Sequence, residues 1–137
     1  MILVDTNVWS EQTKRDGNAA VLAWLEAHDA DLALSTLVIA EIQYGIALLA
    51  SEKRRHALGQ WLEGLESRYW SRTIDFDTDA ARRYGSIAAD PKAKAREPQV
   101  IDMQIAAQAQ AYGASIATRN VKDFDWIDIT LIDPWTS

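Results

Sequence analysis

Short runs of branched apolar residues alternate with longer stretches of helical spacing along this chain. Ile2, Leu3 and Val4 form the first such run, and it stops abruptly at Asp5, Thr6 and Asn7. This pattern predicts a buried parallel strand that delivers a carboxylate to its C-terminal edge, where ligands bind in open α/β sheets. The other use of Asp5 is as the N-cap of a short following helix. Residues 19–27 have helical periodicity, and 31–35 read as a second strand. Ser35 or Thr36 then caps a helix reaching about residue 50. Residues 52–67 form a charged amphipathic helix, with Ala57, Leu58, Trp61, Leu62 and Leu65 at helical spacing. A third strand is expected over 72–76 and a helix over 77–89. Residues 90–99 hold two of the three prolines and read as a loop. A helix from Val100 to Tyr112 closes on Gly113, a C-cap by type and place. Strands over 114–118 and 128–132 complete the set.

Strands alternating with helices indicate one α/β domain over residues 1–137, a three-layer α/β/α sandwich around a mostly parallel sheet. Hydrophobic residues at 48% and charged residues at 25% are ordinary for a globular domain and argue against disorder. No apolar run approaches the roughly 20 residues that cross a bilayer, and no basic region precedes the first apolar run as in a secretory signal. A cytoplasmic protein without membrane contact is expected. The chain has no cysteine, which removes disulfides, thiolate nucleophiles and thiolate-bound zinc, and its two histidines, His28 and His56, lie in polar surroundings. Any catalysis must therefore rest on carboxylates. A net charge of −6 argues against broad nucleic-acid binding but leaves room for local basic patches, at Lys53, Arg54 and Arg55 and at Lys92, Lys94 and Arg96.

Two carboxylates stand where helices should be apolar. Glu41 has Leu37, Val38, Tyr44, Gly45 and Leu48 on its own helix face, and Asp102 shares a face with Ile105, Ala106 and Ala109. Burying an ionised carboxylate is costly, so each is expected to face the core only with a partner. One solution pairs each acid with an arginine inside the fold. The other brings Asp5, Glu41 and Asp102 together above one sheet edge, where three unpaired carboxylates require a cation. An all-oxygen donor set without histidine or cysteine selects Mg²⁺ or Mn²⁺. Thr118 and Asn120 at a later strand end offer further oxygens or a capping role, and Asp123 lies three residues beyond Asn120.

The stretches VDTNVWSE, STLVIAEIQYGI, VIDMQIAAQAQAYG and SIATRNVKDF, in this order and spacing, resemble the PIN-domain ribonuclease toxins of the VapC and FitB kind, and the resemblance spans essentially the whole chain. It implies a PIN-like fold and metal-dependent hydrolysis of RNA, with Asp5, Glu41 and Asp102 as both metal ligands and catalytic residues. The family's fourth acidic position falls at Asn120 by alignment of the strand end, with Asp123 as a substitute that is expected to have turned away. Thr6, Thr118, Arg119 and Arg96 are substrate-binding candidates, and the two basic clusters are the expected RNA contacts. The family commonly has glycine where this chain has Ala95. The resemblance further implies a homodimer kept silent by a cognate antitoxin protein, with operator DNA reached only through that antitoxin. Trp9, Trp61 and Trp70 are candidates for such interfaces or for the core. Two other functions share some of these features. A catalytically inactive PIN-like binding module would suit Asn120 but leaves three intact acids without purpose. A haloacid-dehalogenase-type phosphatase also begins at a strand-end aspartate, but it wants a second acid where Asn7 stands.

Overall fold

The computed structural model describes residues 1–137. Five strands, β1 (Ile2–Val4), β2 (Leu32–Ser35), β3 (Thr73–Ile74), β4 (Ser115–Ala117) and β5 (Leu131–Ile132), form a single sheet in the order β3-β2-β1-β4-β5. Every pairing is parallel. The helices are α1 (Thr6–Trp9), α2 (Ala19–Ala27), α3 (Thr36–Ala47), α4 (Glu52–Arg68), α5 (Thr78–Ala89), α6 (Pro91–Arg96) and α7 (Val100–Tyr112). Right-handed crossovers, the rule for parallel strands, place the connections that step from β1 to β2 and β3 on the opposite face from the one that returns to β4. The result is an α/β/α sandwich. None of its helices is long and apolar enough to cross a membrane.

The strand order reverses between β1 and β4. Such a reversal opens a crevice at the C-terminal ends of the two strands, because their onward connections leave toward opposite faces. The register pairs Val4 with Ala117, so Asp5 and Thr118 emerge side by side at that crevice. Asp5 is tied to β4 by its own amide, which donates to the Ala117 carbonyl at 2.9 Å, and the Thr118 amide donates to Ile132 at 2.9 Å.

The core is built as the apolar runs predict. Leu3, Val4, Leu32, Leu34 and Ile116 from the strands are buried with Val8, Trp9, Val21, Val38, Ile105 and Phe124. Trp9 thus serves the core. Trp61 is half-buried and donates to Gln12, and Trp70 is 80% exposed. Gln108 is the polar exception on the small, apolar α7. It lies fully buried, accepting from the Ser35 hydroxyl and donating to the Ile74 carbonyl at 3.4 Å, so one amide joins α7 to β2 and β3.

Three sequence expectations change. Residues 91–96 form α6 instead of a loop: Asp90 caps it by accepting from the Lys92 amide at 2.9 Å, and Pro91 occupies the first helical position, where a missing N–H costs nothing. The prolines mark the start of α6 and the point beyond its end. Glu97 closes α6 in the left-handed conformation at φ 48°, a place usually given to glycine. The face of α3 that carries Tyr44 and Leu48 does not meet the core. Those side chains are 67% and 68% exposed, and Val38, Ile42 and Ile46 face inward instead. Finally, the strands over 72–76 and 128–132 shorten to two residues each. Gly113 ends α7 as expected, at φ 61°.

Replacing Gln108 by leucine leaves the Ser35 hydroxyl and the Ile74 carbonyl without their buried partner. Urea melts should show a loss of about 1–3 kcal/mol. Unchanged stability would mean that the amide does not link the layers.

Candidate active site

Asp5 is only 6% exposed and yet well supplied with donors. Its carboxylate accepts from the Thr6 amide at 2.8 Å, from the Thr118 hydroxyl at 2.8 Å and from the Asn7 side-chain amide at 3.2 Å. The first of these bonds is the N-cap of α1, so the capping role and a place at the sheet edge fall on the same residue. Asn7 also reaches Thr118 Oγ1 at 3.4 Å, and its own carbonyl oxygen accepts from the Arg119 amide at 3.1 Å. These bonds fasten α1 to the turn after β4 and fix the direction of the Asp5 carboxylate. Burial raises the Asp5 pKa, the three donors oppose that rise, and the charge of Asp123 adds to it.

Glu41 and Asp102 complete the cluster from two helices. Glu41 is half-buried on α3 and accepts from the Thr6 hydroxyl at 2.9 Å, so Thr6 serves Asp5 with its amide and Glu41 with its side chain. Burial and then the Asp5 charge hold the Glu41 carboxyl above its ordinary value. Asp102 lies in the first turn of α7 and is half-buried. Its pKa is pushed up to about 7, first by burial and then by the charges of Asp5, Asp123 and Glu41. None of these acids belongs to an ion pair; the four salt bridges of the chain use Glu11, Asp29, Asp79 and Asp125. The arginine-paired alternative is therefore excluded.

Asp123 has not turned away, contrary to expectation. The chain turns once through residues 121–123, which returns Asp123 to a cleft of about 350 Å³ that it lines with Asp102, Gln99, Arg96, Lys122 and Trp126. Asn120 is exposed, and what it brings to the site is a backbone amide donated to Thr118 Oγ1 at 3.1 Å. Strand-end alignment missed this turn because a single 3₁₀ turn has no periodic signature.

The basic candidates are partly committed elsewhere. Arg96 is at the cleft wall but pairs with Asp125 at 2.9 Å and donates to the Lys122 carbonyl at 3.3 Å. Arg119 stacks its guanidinium on Trp135, 4.9 Å from the ring centre. Arg55 is spent on the Leu49 and Ala50 carbonyls just beyond α3. Sequence reasoning missed Asn7 as an organiser of the site. Its position two residues after Asp5, within hydrogen-bond reach of that carboxylate, is the signal that could have found it.

All donors offered here are oxygens, the choice of a hard divalent ion. The side chains do not converge into a group of three that would hold a metal directly. That arrangement still fits Mg²⁺, which keeps much of its water and is bound through one or two carboxylates. Asp102, with no hydrogen-bond donor of its own and three acids acting on it, is the group most in need of positive charge.

A carboxylate cluster at the switch point of a parallel sheet defines a class of α/β proteins with an acidic, open-edged site. The family profile described as PIN domain matches residues 2–129, and the chain belongs to that family. It is 37% identical over 137 residues to the "VapC ribonuclease Y4jK" of Sinorhizobium fredii, covering 98% of each chain. It is 34% identical over 137 residues to "Toxin FitB" of Neisseria gonorrhoeae, covering 98% of this chain and 99% of that one. The crystal structure of FitAcB from Neisseria gonorrhoeae superposes with a TM-score of 0.90 at 33% identity and covers 100% of both chains.

The raised Asp102 pKa has a thermodynamic consequence. Between the unfolded value of 3.8 and the folded value of about 7 the native state binds more protons than the unfolded chain, so metal-free stability falls as pH rises through that interval. Asp102→Asn should flatten this fall and raise the melting temperature in chelator at neutral pH by a few degrees. Equal pH profiles for the two proteins would show that Asp102 carries no uncompensated charge.

Proposed function

We propose that this chain is a metal-dependent endoribonuclease, the toxin of a type II toxin-antitoxin pair, acting on cytoplasmic RNA. The observation that carries this reading is the set of four acids at one sheet edge, three of them raised in pKa and none paired with a cation. The ribonuclease and toxin names of full-length relatives support it.

Asp5 and Asp102 would hold Mg²⁺ or Mn²⁺, with Glu41 and Asp123 completing the shell through water. Such an ion, when bound, neutralises charge on a scissile phosphate and acidifies water at neutral pH. The chain's own residues do the rest. Thr118, Asn7 and the Thr6 amide fix the Asp5 carboxylate before substrate arrives, so that no reorganisation is needed during reaction. Glu41, held by the Thr6 hydroxyl, keeps one carboxylate oxygen free to accept a proton from the attacking water. Lys122 on the cleft wall, which pairs with no acid, supplies positive charge for an RNA phosphate beside the acids. Thr118 acts through Asp5 instead of touching RNA.

A homodimer and a cognate antitoxin belong to the same proposal. Both need apolar surface, and Tyr44 and Leu48 of α3 present it one helical turn apart. Resemblance to the FitAcB structure supports the antitoxin partner.

The purified chain should cleave RNA with Mg²⁺ or Mn²⁺ and stop in EDTA; cleavage that persists in EDTA would refute the metal requirement. Asp102→Asn should lower the rate by about a hundredfold or more, the scale of losing one preorganised electrostatic group, while circular dichroism stays unchanged. At the fourth position Asp123→Asn should cost more activity than Asn120→Ala. The opposite order would return that role to Asn120.

A further inference from the structure

Trp126 forms part of two walls. One side borders the cleft of Asp102 and Asp123, and the other borders a second cleft of about 550 Å³ between α5, α6 and the segment after Phe124. We propose that this second cleft continues the substrate path: single-stranded RNA runs from the acidic site over Trp126 and into the groove of Arg82 and Lys92. The proposal rests on the ribonuclease reading and adds to it a path for the strand beyond the acids and a preference for longer substrates.

Three observations carry it. The Trp126 indole N–H donates to the Asp123 carbonyl at 3.0 Å, which ties the ring to the turn bearing the fourth acid and sets its orientation. The ring is half-buried, so it is packed on one part and open on another. Arg82 and Lys92 are exposed in the second cleft and Lys122 in the first, and none of the three pairs with an acid. The cleft also holds acids in equal number: Asp79 pairs with Arg83 at 3.0 Å, while Asp90, which caps α6, and Asp128 keep their charge, so Arg82 and Lys92 act as individual phosphate contacts and not as a uniformly positive surface.

A strand that alternates bases with phosphates suits an aromatic face set between free cations. Single strands are bound in this way, by stacking on aromatic rings along a positive groove. A duplex would offer no unstacked base to Trp126.

The test compares kcat/KM for a trinucleotide with that for a single strand of about 12 nucleotides, within the range that such grooves accommodate. Wild-type protein should prefer the longer strand. In Arg82→Gln/Lys92→Gln, whose side chains are exposed and leave the core intact, this preference should fall about tenfold and the salt dependence of KM on the long strand should become shallower. Trp126→Leu should act likewise and Trp126→Phe should restore most of the preference. A charge variant with wild-type preference and salt dependence, or a wild type indifferent to length, would overturn the path while leaving the nuclease reading intact. A wild type that cleaves neither substrate with Mg²⁺ or Mn²⁺ would overturn both.

Discussion

The structure turns on negative charge held where no positive charge answers it. Asp5, Glu41, Asp102 and Asp123 come from a strand end, two helices and a short turn, and no arginine or lysine bridges any of them. Carboxylates so placed cost folding free energy, and a chain carries that cost only if the rest of the fold imposes it. Here the parallel sheet does so. Its strand order puts β1 beside β4, and their paired ends deliver Asp5 and Thr118 to one crevice.

The supporting bonds explain why the cluster stays ordered. Asp5 has three donors, Glu41 has the Thr6 hydroxyl, and Asn7 links Asp5 to the turn after β4. Asp102 has none of these, which is why burial and neighbouring charge raise it to about 7 while its neighbours are partly relieved. The division is physically sensible: hydrogen bonds position one carboxylate, and another is left with its charge unsatisfied. Gln108 performs the corresponding structural task beneath the site, joining α7 to β2 and β3 so that Asp102 is presented from a fixed helix.

Much of this was legible from residue order. The run from Ile2 to Val4, the glycine after Tyr112 and two acids on otherwise apolar helices follow from burial and backbone rules that act locally. What could not be read was decided by tertiary geometry. Pro91 and Pro98 bracket a helix because Asp90 supplies a cap, and composition alone cannot separate that from a loop. Asp123 faces the site because of one 3₁₀ turn, too short for any periodicity. The exposure of Tyr44 and Leu48 reflects which side of α3 meets the sheet, a matter of a rotation that Val38, Ile42 and Ile46 determine together.

The claim that this charge exists to bind a divalent ion is tested most directly by titrating Mn²⁺ into the purified protein and following free ion by electron paramagnetic resonance. Wild-type protein should show saturable loss of the free-ion signal and competition by Mg²⁺, and Asp102→Asn a much weaker loss. Wild-type protein that leaves the Mn²⁺ signal unchanged, or an Asp102→Asn variant that binds as well as wild type, would contradict that claim.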